Sequence, residues 1–267
     1  MTATVGPLVV CALAATLYAL GGRGRPRRWR EASFYAGLLS VLAVLEPPFD
    51  GWADSSFALH MTQHVVLMTV APPLLVLGRP WPRLWLPFPL RVRRAVGHAL
   101  AGSPGFRLTG RFVRRPAVSL TLMTAALALW HVPAFYDAAV AHEWLHVLEH
   151  LCFVATSLLW WGSMLETPPV RARIDHLRRT AWFAAALLPS WALAVVLGFA
   201  STPLYGAYAS LPHRAGGLTA LADQQLAAGV MWVPGSLAYT IAAVLAFYQW
   251  LGPEARAVPR TEEFSWT

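Results

Sequence analysis

Residues 59–78 read L-H-M-T-Q-H-V-V-L-M-T-V-A-P-P-L-L-V-L-G. The run is apolar and as long as the roughly 20 residues a helix needs to cross a bilayer. Its first turns carry His60 and His64, four residues apart and therefore about 40° apart on one helix face. Ionisable side chains within a membrane cost roughly 2 to 3 kcal/mol or more when charged, so they face a bundle interior and mark a site. The rest of the chain then reads as scaffold and further ligands for that site. Pro72 and Pro73 lack backbone N–H groups, so this helix is expected to bend and to leave carbonyls for neighbouring helices to satisfy.

The 267 residues are 57% hydrophobic and only 13% charged, with a positive mean hydropathy. That composition belongs to an integral membrane protein rather than a soluble domain. All 21 basic side chains are arginine and the formal net charge is +8. Because the arginines cluster in short loops between apolar runs, the excess reads as a topology signal beside anionic headgroups and not as a nucleic-acid surface. Cys11 and Cys152 both lie inside apolar runs, as small core residues first and soft metal ligands second.

Seven apolar runs, at 5–21, 33–47, 57–77, 117–133, 145–165, 181–200 and 225–250, predict an all-α bundle of seven membrane-spanning helices forming a single domain. The first run has no basic residue before it and five arginines after it, the reverse of a cleavable leader, which predicts an uncleaved first helix. With the N-terminus outside, the inner loops hold 20 of the 21 arginines and only Arg214 falls outside. This split predicts an outer N-terminus and a cytoplasmic C-terminus. Between the third and fourth spans, residues 90–100 alternate Arg91, Arg93 and Arg94 with apolar side chains, which suits a helix lying in the cytoplasmic headgroup layer. No phosphate-binding glycine loop, nucleotide fingerprint or internal repeat is present.

This topology sorts the histidines by depth. His60 and His64 fall at the outer end of the third span, His131 at the outer end of the fourth, and His146 and His150, again four apart, at the outer end of the fifth. His142 precedes them by another four residues, and the seventh span opens with Asp223, Gln224 and Gln225, with Met231 two turns further in. Paired i, i+4 imidazoles from two helices, with a fifth from a helix that ends there, form a metal-ligand pattern suited to copper, zinc or iron. The thioethers of Met61, Met68 or Met231 would tilt a nearby site toward cuprous copper. Glu149 would support a ligand from behind, and Asp223, Gln225, Met231 and His142 are possible accessory groups. His98, His176 and His213 lie in loops and read as solvated or lipid-facing.

Two other chemistries fit part of this pattern. His142-Glu143-Trp144-Leu145-His146 matches the H-E-x-x-H zinc protease signature, and His146-Val147-Leu148-Glu149-His150 matches its reversed form. A histidine every four residues with interspersed glutamates creates both matches, and an intramembrane zinc protease leaves His60, His64 and His131 without a role. Histidines on facing helices could instead bind a b-type heme axially in a redox protein. The blandest alternative is a bundle whose histidines only hydrogen-bond between helices.

Taken together, H-M-T-Q-H with the A-P-P-L-L-V-L-G run, W-H-V-P-A-F-Y-D-A-A, H-V-L-E-H-L-C-F and D-Q-Q-L-A-A-G-V-M-W-V-P-G resemble the CtaG type of cytochrome c oxidase assembly factor, associated with caa-type oxidases. The resemblance extends from the second span to the seventh. It implies a multi-pass protein of the bacterial plasma membrane that matures the terminal oxidase, with oxidase subunits as partners and copper as the metal handled. It also implies kinship with the membrane part of bacterial copper-resistance and copper-import proteins. The family's histidine motifs fall on His60, His64, His131, His146 and His150, and its last-helix motif on Asp223, Gln224, Gln225, Met231 and Trp232. Such a protein is a metal-binding assembly factor rather than an enzyme.

Overall fold

Prolines and small polar residues cut the apolar sequence into helices. The computed structural model describes residues 6–22, 28–165 and 174–255, and every regular element among them is helical. These are α1 (Gly6–Leu20), α2 (Arg28–Leu45), α3 (Phe49–Ala53), α4 (Phe57–Val65), a π turn (Val66–Val70), α5 (Ala71–Leu77), α6 (Pro80–Trp85), α7 (Leu90–Gly102), α8 (Pro104–Val113), α9 (Pro116–Trp130), α10 (Pro133–Ala141), α11 (Glu143–Met164), α12 (His176–Phe199), α13 (Gly206–Ala209), a 3₁₀ turn (Ala215–Gly217) and α14 (Ala220–Ala255).

Each run expected to span a membrane coincides with a helix here. Three of these helical stretches, Phe57–Leu77, His176–Phe199 and Ala220–Gly252, are long and apolar enough to cross a membrane, and a fourth results if α8 and α9, bent by 75°, count as one. Val5, the arginines at 23, 25, 27, 171, 173, 256 and 260, and the chain ends lie outside the described residues. The single helix expected over 90–100 is one of three short ones, α6 to α8. Pro80 and Pro104 each begin a helix at a position where the missing N–H costs nothing, and Ser103 caps α8 by accepting from Phe106 N at 3.3 Å. Neither α7 nor α8 buries a residue.

The Pro72-Pro73 pair produces a π turn rather than a sharp kink. Pro72 cannot donate to the carbonyl of Met68, four residues earlier, and the indole N–H of Trp161 donates to that oxygen at 3.2 Å instead. Ser33 Oγ donates to Leu74 O at 2.8 Å, and Tyr18 O–H to Gly78 O at 2.8 Å, so α1 and α2 hold the far end of the same helix. Close approach is possible because Gly37 has no side chain: a Cβ there would stand 2.8 Å from Leu75 Cγ.

Cross-links at the helix ends set an alternating arrangement. At one end, Ser119 near the start of α9 meets Ser163 at the finish of α11 at 3.1 Å. Thr180 near the start of α12 reaches Ala243 O late in α14 at 3.5 Å, and Arg83 pairs with Glu31 of α2 at 2.9 Å. At the opposite end, Gln224 near the start of α14 donates to Leu197 O near the finish of α12 at 3.0 Å. The start of α4, the finish of α9 and the start of α11 gather there too, around a core of Phe57, Met61, Trp130, Tyr136 and Phe153.

Candidate metal centre

Helical periodicity puts His60 and His64 on the inward face of α4, and His146 and His150 on the inward face of α11. One nitrogen from each of these four histidines lies within 4.8 Å of the others. Within α4 the two Nε2 atoms are 3.0 Å apart. Ring centroids are 5.0 Å apart between His60 and His146, 4.2 Å between His146 and His150, and 5.3 Å between His64 and His150. Phe153 closes one side, its ring 4.8 Å from His64.

A chain of hydrogen bonds sets the tautomer of His60. Tyr208 O–H lies 2.9 Å from Ala53 O and 2.8 Å from His60 Nδ1. A phenol has a single proton and a carbonyl can only accept, so the hydroxyl donates to Ala53 and receives the N–H of His60. Burial raises the Tyr208 phenol above its ordinary range, so it stays neutral. The outcome is a His60 whose Nε2 carries a lone pair toward the centre of the cluster, the arrangement that carbonyl and hydroxyl acceptors impose on metal-ligating histidines.

Other atoms in the cluster have no such partner. His64 Nδ1, His146 Nε2, His150 Nε2 and both carboxylate oxygens of Glu149 are sealed from solvent and make no hydrogen bond among the described residues. Glu149 is fully buried, and its Oε1 stands 3.7 Å from His64 Nε2. Unsatisfied buried polar atoms each cost about 1–3 kcal/mol, a cost that a ligand taking up their lone pairs would offset. Four imidazoles and a nearby carboxylate fit a copper or zinc ion.

Remaining expected site residues take different places. His131 stands beside the cluster, its ring 5.9 Å from that of His64, and it contacts Met61 rather than the other histidines' nitrogens. Asp223 accepts from Ser56 Oγ at 2.8 Å, Phe57 N at 2.7 Å and Ala58 N at 3.1 Å. It therefore caps the helix that carries His60 and His64, from 166 residues away in sequence for Phe57. Gln224 bridges Leu204 N and Leu197 O, while Gln225 is exposed. His142 is the exposed N-cap of α11 and Glu143 is also exposed, so the H-E-x-x-H pair is split, whereas His146, Glu149 and His150 of the reversed motif stay together. Met231 lines a small cavity below His64 together with Met68 and Met123. Cys11 packs with Tyr18 and Phe34, and Cys152 flanks the main core.

Sequence reading missed Tyr208 and Asp137. Asp137 accepts from Gly206 N at 3.1 Å and Ala207 N at 3.0 Å, which pins the turn carrying Tyr208. The only signal was chemical: a tyrosine and an aspartate in apolar surroundings need partners.

A helical membrane protein with a buried histidine cluster at one end of its bundle is the class these features define. A family model described as cytochrome c oxidase caa3 assembly factor (Caa3_CtaG) matches residues 11–252, and the chain belongs to that family. It is 23% identical over 248 residues to an uncharacterised protein of Mycobacterium leprae, covering 88% of this chain and 36% of that one. Uncharacterised proteins of Mycobacterium bovis and Mycobacterium tuberculosis are each 24% identical over 273 residues, covering 96% of this chain and 39% of theirs. The chain thus spans less than two-fifths of the length of these relatives. No solved structure matches it.

Proposed function

We propose that this protein serves assembly of a terminal cytochrome c oxidase in a bacterial plasma membrane by carrying copper on His60, His64, His146 and His150. The observation that carries the reading is the convergence of four imidazoles, one nitrogen of each within 4.8 Å of the others, in a cluster where three ring nitrogens have no hydrogen-bond partner among the described residues. Copper is the cargo, and oxidase subunits are the recipients the family description points to. The chain crosses the membrane seven times with its N-terminus outside, a topology supported by the arginine count and by the alternating helix ends. The cluster then lies in the outer leaflet, close enough to water for protons to compete with metal and so for reversible release.

Two other readings fit less well. A catalytic zinc keeps one coordination position open for water, and four imidazoles fill a tetrahedral ion; the intact His146, Glu149, His150 motif is the single feature that favours proteolysis. A heme needs a slot between its axial histidines, whereas the ring centroids of neighbouring histidines lie 4.2–6.2 Å apart. The test is complementation in a bacterium lacking its own copy. Wild-type protein should restore copper-replete oxidase, His60→Ala with His64→Ala should fail, and Glu149→Gln should still restore it. Full rescue by the histidine variant would overturn the proposal.

A further inference from the structure

We infer that His131 and Met61 form a second site, for a soft monovalent metal ion, beside the four-histidine centre. This rests on the copper reading for the identity of the cargo and on the geometry of these two side chains for the site. His131 Nδ1 is 2.8 Å from Leu127 O. A carbonyl only accepts, so Nδ1 carries the proton and the neutral ring has its lone pair on Nε2. That lone pair faces the thioether sulfur of Met61 at 3.4 Å. No carboxylate stands within ion-pair distance of His131 among the described residues, so nothing there compensates a doubly protonated ring. Both side chains are buried, Met61 at 0% exposure and His131 at 5%.

Two acceptors therefore face each other with no proton between them. A cation that takes one nitrogen and one thioether sulfur satisfies both, and thioether selects cuprous copper over harder divalent ions. Met123 provides a contrast, because its sulfur receives the O–H of Tyr239 at 3.5 Å and has a donor. Met61 is one residue from His60, and the His131 ring is 5.9 Å from that of His64. A cuprous ion can pass between the nitrogen cluster and the nitrogen–sulfur pair by ligand exchange, without a change in oxidation state and without leaving the protein.

The test uses full-length protein in detergent with methionine methyl groups labelled with ¹³C, titrated with silver(I) as the probe for cuprous ions and separately with zinc(II). Methyl signals are assigned by single Met→Leu variants, a swap that keeps volume and apolarity. Silver should bind at one more site per chain than zinc. It should shift the Met61 methyl signal, and Met61→Leu should lose that one silver equivalent while binding zinc as before. A Met61 signal that silver leaves unmoved in wild-type protein overturns the inference even if Met61→Leu proves unstable. A silver stoichiometry unchanged in His146→Ala, His150→Ala protein would instead sink the four-histidine reading, and a Met61 shift that persists in that protein keeps the second site standing by itself.

Discussion

The histidine end of this bundle and the arginine-bearing helices α7 and α8 treat polar groups in opposite ways. At the histidine end His60, His64, His131, Glu149, Asp223 and Gln224 are buried, and Asp223, Gln224 and Tyr208 spend all their bonding on holding other residues in place. At the arginine end, α7 and α8 carry Arg91, Arg93, Arg94, Arg107 and Arg111 and bury nothing. Burial is costly for polar groups and is tolerated where partners or a ligand repay it. The buried histidine end is thus the place for a site, and α7 and α8 keep their charges exposed.

Breaking the histidine end should have the largest effect. Replacing His146 and His150 with alanine removes two of the four proposed ligands, and stoichiometric metal should be lost as measured by elemental analysis. Asp223→Ala leaves Ser56 Oγ and the N–H groups of Phe57 and Ala58 without their acceptor in a buried place. It should cost about 3 kcal/mol of stability, read as a lower thermal midpoint in detergent, with weaker metal binding as the α4 histidines shift. Tyr208→Phe keeps the ring and removes the hydroxyl that orients His60. Metal affinity should fall by roughly 10–100-fold, the usual cost of losing a partner behind a ligand, while the fold stays intact by circular dichroism.

At the arginine end the same assays should barely respond. Changing Arg91, Arg93 and Arg94 together to glutamine should leave metal stoichiometry and affinity unchanged. The difference between the ends can be sharpened by labelling. In protein with Cys11 and Cys152 replaced by serine, a membrane-impermeant maleimide should reach Ser210→Cys in intact cells and Ser103→Cys only after permeabilisation. Labelling of both in intact cells would contradict the proposed orientation.

Features with a local cause could be read in the sequence. Apolar length gave the helices, the proline pair in 59–78 required a foreign donor, and Trp161 supplies it. The i, i+4 spacing put each histidine pair on one face, and the two faces meet in the structure. Three things were hidden because their cause is tertiary. Asp223 has the chemistry of a ligand, and only its distance to Phe57 N reveals a cap. Tyr208 lies 148 residues from the His60 it orients, in a segment with no periodic signal. His131 reads as a fifth ligand by depth, yet its ring is turned by Leu127 O toward a methionine. The split of residues 78–116 into three helices depends on where each proline can start a turn, which apolar alternation alone does not fix.

The central claim is that the four imidazoles at the buried end hold copper. It is tested most directly by elemental analysis and an absorption spectrum on detergent-purified protein prepared with copper under reducing conditions, beside the His60→Ala, His64→Ala variant. Copper at one to two equivalents is expected in the wild type, with a loss of at least one equivalent in the variant and no heme band in either. Copper-free wild-type protein, or a variant that keeps the full wild-type content, would contradict it.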